Sequence, residues 1–133
     1  TETQDPSTDL DRSTNPSDGY LDQLHTIRDQ YGADLVTLLV SQGDGTLGGI
    51  ANSMSYPSLD FEDRGFNVVV MDQIGAPSYS LLHEIGHNMG CTHNREDAMN
   101  RGIPDTDPSN NSIFSQKVIL KFPFFFNLMD LIV

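Results

Sequence analysis

The chain has 133 residues, with 7 Lys and Arg against 19 Asp and Glu, so its formal net charge is −12. This length suits one domain, or most of one. The acidic balance argues against a nucleic-acid-binding protein, because phosphate requires a basic surface, and against a protein that binds anionic membranes. A single cysteine, Cys91, excludes a disulfide within the chain.

The first predicted helix follows a polar and acidic start. Residues 1–16 are rich in Asp, Ser, Thr and Pro, a composition that predicts a loop. Ser17 and Asp18 are candidates for the helix N-cap. Apolar residues then recur on one helical face: Tyr20, Leu24, Ile27 and Tyr31. Gly32 is placed to end this helix in the left-handed conformation.

Three strands and a second helix are predicted further along the chain. The apolar run at residues 34–40 predicts a strand buried on both faces, and residues 66–71 predict another strong strand. Residues 49–54 follow a glycine-rich loop and predict a weaker strand. A helix is expected to open at residues 76–78, with Pro77 in its first turn. This pattern indicates a layered α/β or α+β domain.

The second helix carries the motif of greatest chemical interest. It reads His-Glu-Ile-Gly-His at residues 83–87, followed by Gly90 and His93. At about 100° per residue, His83 and His87 lie only about 40° apart and point the same way. Gly90 can adopt a positive φ, end the helix and let His93 return toward the other two imidazoles. The apolar residues of the helix are expected to pack on the sheet: Leu82, Ile85 and Met89.

These three imidazoles predict a catalytic zinc site. A zinc ion held by three histidines keeps one position for a water molecule, whereas structural zinc sites are closed and usually rich in cysteine. Glu84 lies about 100° round the helix from His83, where it can accept a proton from that water and pass it to a leaving amine. The full HExxHxxGxxH string is far more specific than HExxH alone.

The string resembles that of the metzincin zinc endopeptidases, and most closely the reprolysin-type and peptidyl-Asp-metallopeptidase-type domains. Two further passages support the resemblance, which covers residues 18–98: Tyr31-Gly32-Ala33-Asp34-Leu35-Val36 and Gly49-Ile50-Ala51. It implies a zincin-like α+β fold with a mixed twisted sheet that has an antiparallel edge strand, together with a backing helix and the active-site helix.

The resemblance also implies residue roles. Glu84 would be the general base and Gly90 the structural turn. The zinc ligands would be His83, His87 and His93. The substrate-binding edge strand would comprise Gly49, Ile50 and Ala51, because the free backbone groups of an edge strand accept an extended peptide.

The end of the chain departs from the family pattern. Residues 1–107 carry 18 acidic residues and 5 arginines, whereas residues 108–133 have a net charge of +1 and five of the seven phenylalanines. We expect residues 1–107 to be a partial metzincin-like catalytic domain with an incomplete lower subdomain. Residues 108–133 would be a divergent apolar tail, either a remnant of that subdomain or aberrant sequence. Neither Met99 nor Met129 matches the family's Met-turn, and Asn94 replaces a frequent Asp.

Other candidate residues have simpler interpretations. We expect His25 to be a surface or packing residue. Cys91 is interpreted as a partner for a cysteine outside this chain or as a small buried residue, with a thiolate ligand as the third alternative. The early acidic residues predict a solvated segment rather than a calcium site: Asp5, Asp9, Asp11 and Asp18. Asn110 begins a glycosylation sequon.

The sequence therefore predicts a secreted, monomeric, zinc-dependent endopeptidase that acts on protein or peptide substrates. The alternative is an incomplete or inactive metzincin fragment that binds zinc or peptide without turnover. Resemblance to the peptidyl-Asp type implies a preference for an acidic residue beside the scissile bond. Such a preference requires a local cation, for which the candidates are Arg64, Arg95 and Arg101.

Overall fold

The computed structural model describes residues 2–93 and residue 100. The predictions for the tail, Asn94, Arg95, Met99, Arg101, Asn110 and Met129 lie outside these residues. The helices and strands are, in chain order, α1 (Pro6–Thr14), α2 (Gln23–Tyr31), β1 (Val36–Val40), β2 (Gly49–Ala51), β3 (Phe66–Val70) and α3 (Ser80–Asn88). Short 3-10 helices precede and follow β3 at Leu59–Arg64 and Met71–Gln73. No helix in the described part is long and apolar enough to cross a membrane.

The three strands form a mixed sheet in the order β1-β3-β2. β1 is parallel to β3, with Val36 opposite Phe66, and β2 is antiparallel to β3, with Ile50 opposite Val68. The prediction of an antiparallel edge strand at Gly49–Ala51 is therefore confirmed. The prediction that β1 is buried on both faces is wrong, because only Val40 of this strand is fully buried. The fully buried strand is β3, which lies between the other two.

The apolar core lies on one face of the sheet, under α1 and α2. Phe66, Val68 and Val70 point to this face because side chains alternate along a strand. They form a buried cluster with Leu10 of α1 and Val40 of β1. The partly buried Leu24 of α2 packs against the cluster, and His25 places its ring 4.7 Å from that of Phe66. Helix α2 therefore packs on this face of the sheet through Leu24 and His25.

Helix α1 was not predicted, and the interpretation of residues 1–16 as a loop is wrong. The helix begins because Asp5 is a good N-cap and Pro6 suits the first helical position. The Asp5 carboxylate accepts hydrogen bonds from the Ser7 backbone N–H at 3.0 Å and from the Thr8 hydroxyl at 2.7 Å. Aspartate, serine, threonine and proline are loop formers by composition, but in this order they start a helix.

Helix α2 begins later than predicted and ends as predicted. Its N-cap is Asp22 rather than Ser17 or Asp18. Asp18 and Asp22 instead form the preceding turn, where their carboxylates accept from the backbone N–H groups of Tyr20 and Gly19. Gly32 ends the helix with φ +62°, the left-handed conformation that favours glycine.

Helix α3 lies on the opposite face of the sheet from α1, and it packs differently from the prediction. It begins at Ser80, so Pro77 precedes it rather than lying in its first turn. The prediction that Leu82 and Met89 face the sheet is wrong, since their side chains are 52% and 41% exposed. The buried residues of α3 are small or polar: Ser80, Glu84, Gly86, His87 and Asn88.

We expect Phe66→Ala to lower the free energy of unfolding by about 3–5 kcal/mol, because it leaves a cavity where a fully buried ring contacts His25 and the valine cluster. Urea denaturation of the metal-free chain measures this loss. Leu59→Ala is the matched control, since Leu59 is 91% exposed and its truncation should change stability by less than about 0.5 kcal/mol. Equal losses in the two variants would contradict the assigned core.

Candidate metal centre and cleft

Three histidine side chains converge on one point beside the sheet. The Nε2 atom of His87 lies 3.0 Å from that of His83 and 3.2 Å from that of His93. The Nε2 atoms of His83 and His93 are also 3.2 Å apart. Among the described residues, this is the one group of three or more potential ligands that could hold a metal ion. The structure thus brings together the three predicted zinc-ligating histidines.

The geometry of this triangle fits a metal ion better than it fits mutual hydrogen bonds. An imidazole nitrogen that carries a proton can only donate a hydrogen bond, and one without a proton can only accept. With three nitrogens in mutual contact, at least one contact joins two of the same kind. A cation facing three lone pairs removes that conflict. Tetrahedral zinc with bonds of about 2.0–2.1 Å separates its ligand nitrogens by about 3.3 Å, close to the observed spacing.

The protonation of the imidazoles also favours metal binding. Nδ1 of His87 lies 2.8 Å from the carbonyl oxygen of Cys91, which can only accept. The proton therefore belongs on Nδ1, and Nε2 presents its lone pair to the cluster. Burial lowers the pKa of His83, and the positive charges that His87 and His93 would carry lower it further. Both effects favour neutral imidazole, the form that binds metal ions.

Gly90 returns the chain so that His93 reaches the other two histidines. Its φ of +89° confirms the predicted left-handed turn. The backbone N–H of Gly90 donates to the carbonyl of His87 at 3.0 Å, and that of Cys91 donates to the carbonyl of Gly86 at 2.8 Å. A side chain at this position would strain the turn, and its Cβ would lie 3.1 Å from the carbonyl oxygen of Met54.

Glu84 is buried between the histidine cluster and the edge strand. Its side chain is held against Gly49, where an added Cβ would lie 2.8 Å from Cγ of Glu84 and 2.9 Å from the carbonyl oxygen of Val68. Burial disfavours the charged carboxylate and raises the pKa of Glu84 to about 7. The carboxyl group is therefore suited to accepting and releasing a proton near neutral pH.

A cleft of about 540 Å³ runs along the edge strand β2 and past the cluster. In the described sheet β2 pairs only with β3, so its other edge faces this cleft. The cleft residues that precede or belong to the edge strand are Thr46, Leu47, Gly48, Gly49, Ile50 and Ala51. The remainder are hydroxyl residues and the motif residues: Ser53, Ser78, Ser80, His83, Glu84, His87 and His93.

Several other candidate residues lie outside the site. His25 contacts the carbonyl oxygen of Thr14 through Nε2 at 3.1 Å and packs on Phe66, as predicted for a packing residue. The thiol of Cys91 is partly buried and is not part of the ligand cluster. Arg64 is exposed and donates to the Asn52 side-chain oxygen at 3.5 Å, at the end of β2.

Three of the early acidic residues accept hydrogen bonds from backbone groups near them. Asp5 caps α1 and Asp18 forms a turn, as described above. Asp9 is fully buried, and both oxygens of its carboxylate accept from the backbone N–H of Thr3 at 2.9 Å. The prediction of a solvated segment is therefore wrong for Asp9, because α1 turns this carboxylate inward.

Two features of the site were missed by the sequence analysis. The first is the pair Gly48-Gly49, which allows α3 to approach β2 closely; glycine in a strand pattern indicates such an approach in general terms. The second is a buried pair of side-chain amides, in which Asn67 donates to the Asn88 oxygen at 2.7 Å. A polar residue inside the apolar run Phe66–Val70 was the available signal for this pair.

Comparison with known proteins assigns this chain to a family. A family model described as metallo-peptidase family M12, of the reprolysin type, matches residues 1–117. The chain belongs to the M12 metallopeptidases. This confirms the resemblance inferred from the zinc motif. M12 metallopeptidases depend on a metal ion, usually zinc, and the histidine cluster of this chain fits such a site.

Curated relatives of this M12 chain carry a more specific name. This chain is 36% identical over 95 residues to a peptidyl-Asp metalloendopeptidase of Stenotrophomonas maltophilia strain R551-3. The matched residues make up 70% of this chain and 21% of the relative. The namesake of Xanthomonas campestris pv. campestris is 32% identical over 94 residues, or 69% of this chain and 20% of the relative. The chain thus spans about a fifth of the length of these relatives.

We expect Gly49→Ala to displace Glu84 or the edge strand, because the new Cβ would overlap Cγ of Glu84 and the carbonyl oxygen of Val68. Such overpacking typically costs about 1–3 kcal/mol of stability. Thermal unfolding measures the loss. Gly75→Ala is the matched control, since a Cβ there meets no atom within 4 Å and its φ is not positive. An unchanged melting temperature for Gly49→Ala would contradict the close packing described here.

Proposed function

We propose that this chain forms the zinc-binding part of a secreted, metzincin-type endopeptidase that hydrolyses internal peptide bonds. The observation that carries the proposal is the position of the buried Glu84 beside three converging imidazoles in a cleft along a sheet edge. A zincin-like fold is consistent with the mixed sheet and with membership of the M12 family.

His83, His87 and His93 would hold one zinc ion. When bound, zinc polarises a peptide carbonyl and lowers the pKa of a water molecule. The contact between Nδ1 of His87 and the Cys91 carbonyl orients this imidazole for binding. Gly90 keeps the turn that returns His93 to the cluster.

Glu84 would act as the general base and then as the general acid. Its carboxyl group, with a pKa of about 7, can accept a proton from the attacking water and deliver it to the leaving amine. Burial against Gly49 holds the side chain in the cleft that the three histidines also line.

The substrate would be a protein or peptide in an extended conformation. An extended chain can add, through backbone hydrogen bonds that tolerate many side-chain sequences, to the edge of β2 that is unpaired in the described sheet. Gly49, Ile50 and Ala51 would form this edge. We propose that the chain acts as a monomer.

A preference for aspartate beside the scissile bond is proposed from the names of the relatives. The described cleft residues include no Lys or Arg. Among the described arginines, Arg64 is the candidate for binding the aspartate side chain, because its hydrogen-bond partner Asn52 directly precedes the cleft residue Ser53. Arg12 instead lies over the ring of Tyr20, and Arg28 is buried beside acidic residues.

The alternative is a chain that binds zinc or peptide without turnover. It shares the histidine cluster with the enzyme, so metal binding does not separate the two functions. Catalysis by Glu84 does separate them, because only an active peptidase requires a proton acceptor.

We expect Glu84→Gln to reduce peptide cleavage by about 10²–10⁴-fold while zinc binding is retained, because the amide keeps the shape of the carboxyl group but accepts no proton. Cleavage of casein and of a peptide with a single Asp is measured with and without chelator. The same peptide with Asn in place of Asp tests the preference. If the wild-type chain binds one zinc ion yet cleaves no faster than the variant, the non-enzymatic alternative is correct.

We expect His83→Ala to weaken zinc binding by several orders of magnitude, because it removes one of three ligands. Competition with a chromophoric chelator measures the affinity. His25→Ala is the matched control: this fourth histidine packs on Phe66 and lies outside the cluster, so its loss should leave zinc affinity unchanged. Equal effects of the two substitutions would refute the ligand assignment.

A further inference from the structure

The side chain of Asn88 joins three segments of the chain behind the histidine cluster. Asn88 directly follows His87 at the end of α3, and it is only 1% exposed. Its Nδ2 group donates to the backbone carbonyl of Asn52 at 2.8 Å and to that of Phe66 at 3.0 Å. Its Oδ1 atom accepts from Nδ2 of Asn67 at 2.7 Å.

The two carbonyl groups lie where the β2–β3 ladder ends. The backbone N–H of Asn52 donates to the Phe66 carbonyl at 3.2 Å, one residue beyond the last paired residues. Two residues later, the N–H of Met54 donates to the carbonyl of His87 at 3.1 Å. The segment that leaves the edge strand is therefore bonded to the end of α3 through both Asn88 and His87.

Burial alone does not account for a pair of asparagines at this position. Asn67 lies between the buried residues Phe66 and Val68, and its Oδ1 atom has no hydrogen-bond partner among the described residues. An unpaired buried acceptor is unfavourable, and an apolar pair of similar size would avoid it. What an apolar pair would not supply is the set of hydrogen bonds that Asn88 makes to the two strands.

We propose that Asn88 is a positioning residue for the metal centre. Its bonds fix the end of α3 relative to the edge strand, and thereby fix the position of His87. The turn at Gly90 follows within two residues, so the return of His93 depends on the same anchor. This inference rests on the proposed zinc site and assigns the group that orients two of its three ligands.

The test replaces Asn88 with leucine, which has a similar size and no hydrogen-bond donors, in the full 133-residue chain. Zinc affinity is measured by chelator competition, and ligand geometry is monitored by the visible absorption of the cobalt(II)-substituted protein. We expect zinc affinity to fall about 10–100-fold, as for other groups that orient metal ligands, and the cobalt bands to shift.

Asn52→Ala is the matched control. Its side chain contacts Thr14 and Arg64, and its backbone carbonyl, the acceptor for Asn88, is kept. Zinc affinity should be unchanged in this variant. The melting temperature of each metal-free variant is recorded separately, because a residue that only stabilises the fold would lower it without changing the cobalt spectrum.

Wild-type zinc affinity and an unchanged cobalt spectrum in folded Asn88→Leu would overturn the proposal, even with a lower melting temperature. If that variant does not fold, Asn67→Leu replaces it, because it removes only the bond to the Asn88 oxygen. A several-fold loss of affinity then supports the proposal, and no loss overturns it. A wild-type chain without zinc binding would overturn the metal site and this inference together. Zinc binding without cleavage would contradict only the peptidase.

Discussion

The close approach of α3 to the edge strand β2 is the contact on which the site depends. A Cβ on Gly48 would lie 2.6 Å from the Ser80 hydroxyl, and one on Gly49 would lie 2.8 Å from Cγ of Glu84. The backbone of Gly48 and Gly49 therefore packs directly against the Ser80 and Glu84 side chains of α3. This contact buries the carboxyl group and places the histidine cluster beside the edge of β2 that is unpaired within the described residues.

Features governed by local backbone geometry were predictable from the sequence. Histidines four residues apart on a helix must point the same way, and a glycine three residues later can turn the chain. The structure accordingly brings His83, His87 and His93 together and gives Gly90 a positive φ. The buried strand β3 was also predicted, because its apolar run is bounded by glycine and polar residues. The antiparallel edge strand was implied by the family resemblance, since its own strand signal is weak.

Features governed by tertiary packing were not predictable. Amphipathic reasoning directs Leu82 and Met89 toward the sheet, but the Gly48-Gly49 pair leaves room only for a face with Ser80 and Glu84. Helix α1 was missed because composition was given more weight than the order Asp5-Pro6, which caps a helix. The amide pair of Asn67 and Asn88 joins residues 21 apart. The polar Asn67 inside an apolar run was a signal, but no pattern along the chain identifies Asn88 as its partner.

The burial of Glu84 suits its proposed role in proton transfer but lowers the stability of the folded chain at neutral pH. Its carboxyl group ionises near pH 7 in the folded chain instead of near 4.5, so the folded state binds the proton more tightly than the unfolded state does. Stability due to this group therefore falls as pH rises from the unfolded pKa of 4.5 to the folded pKa of about 7 in the metal-free chain, and changes little above that. Selection for a sturdier domain alone would favour a neutral residue here. With the proposed role of Glu84 as general base, glutamate at this position is a compromise between activity and stability.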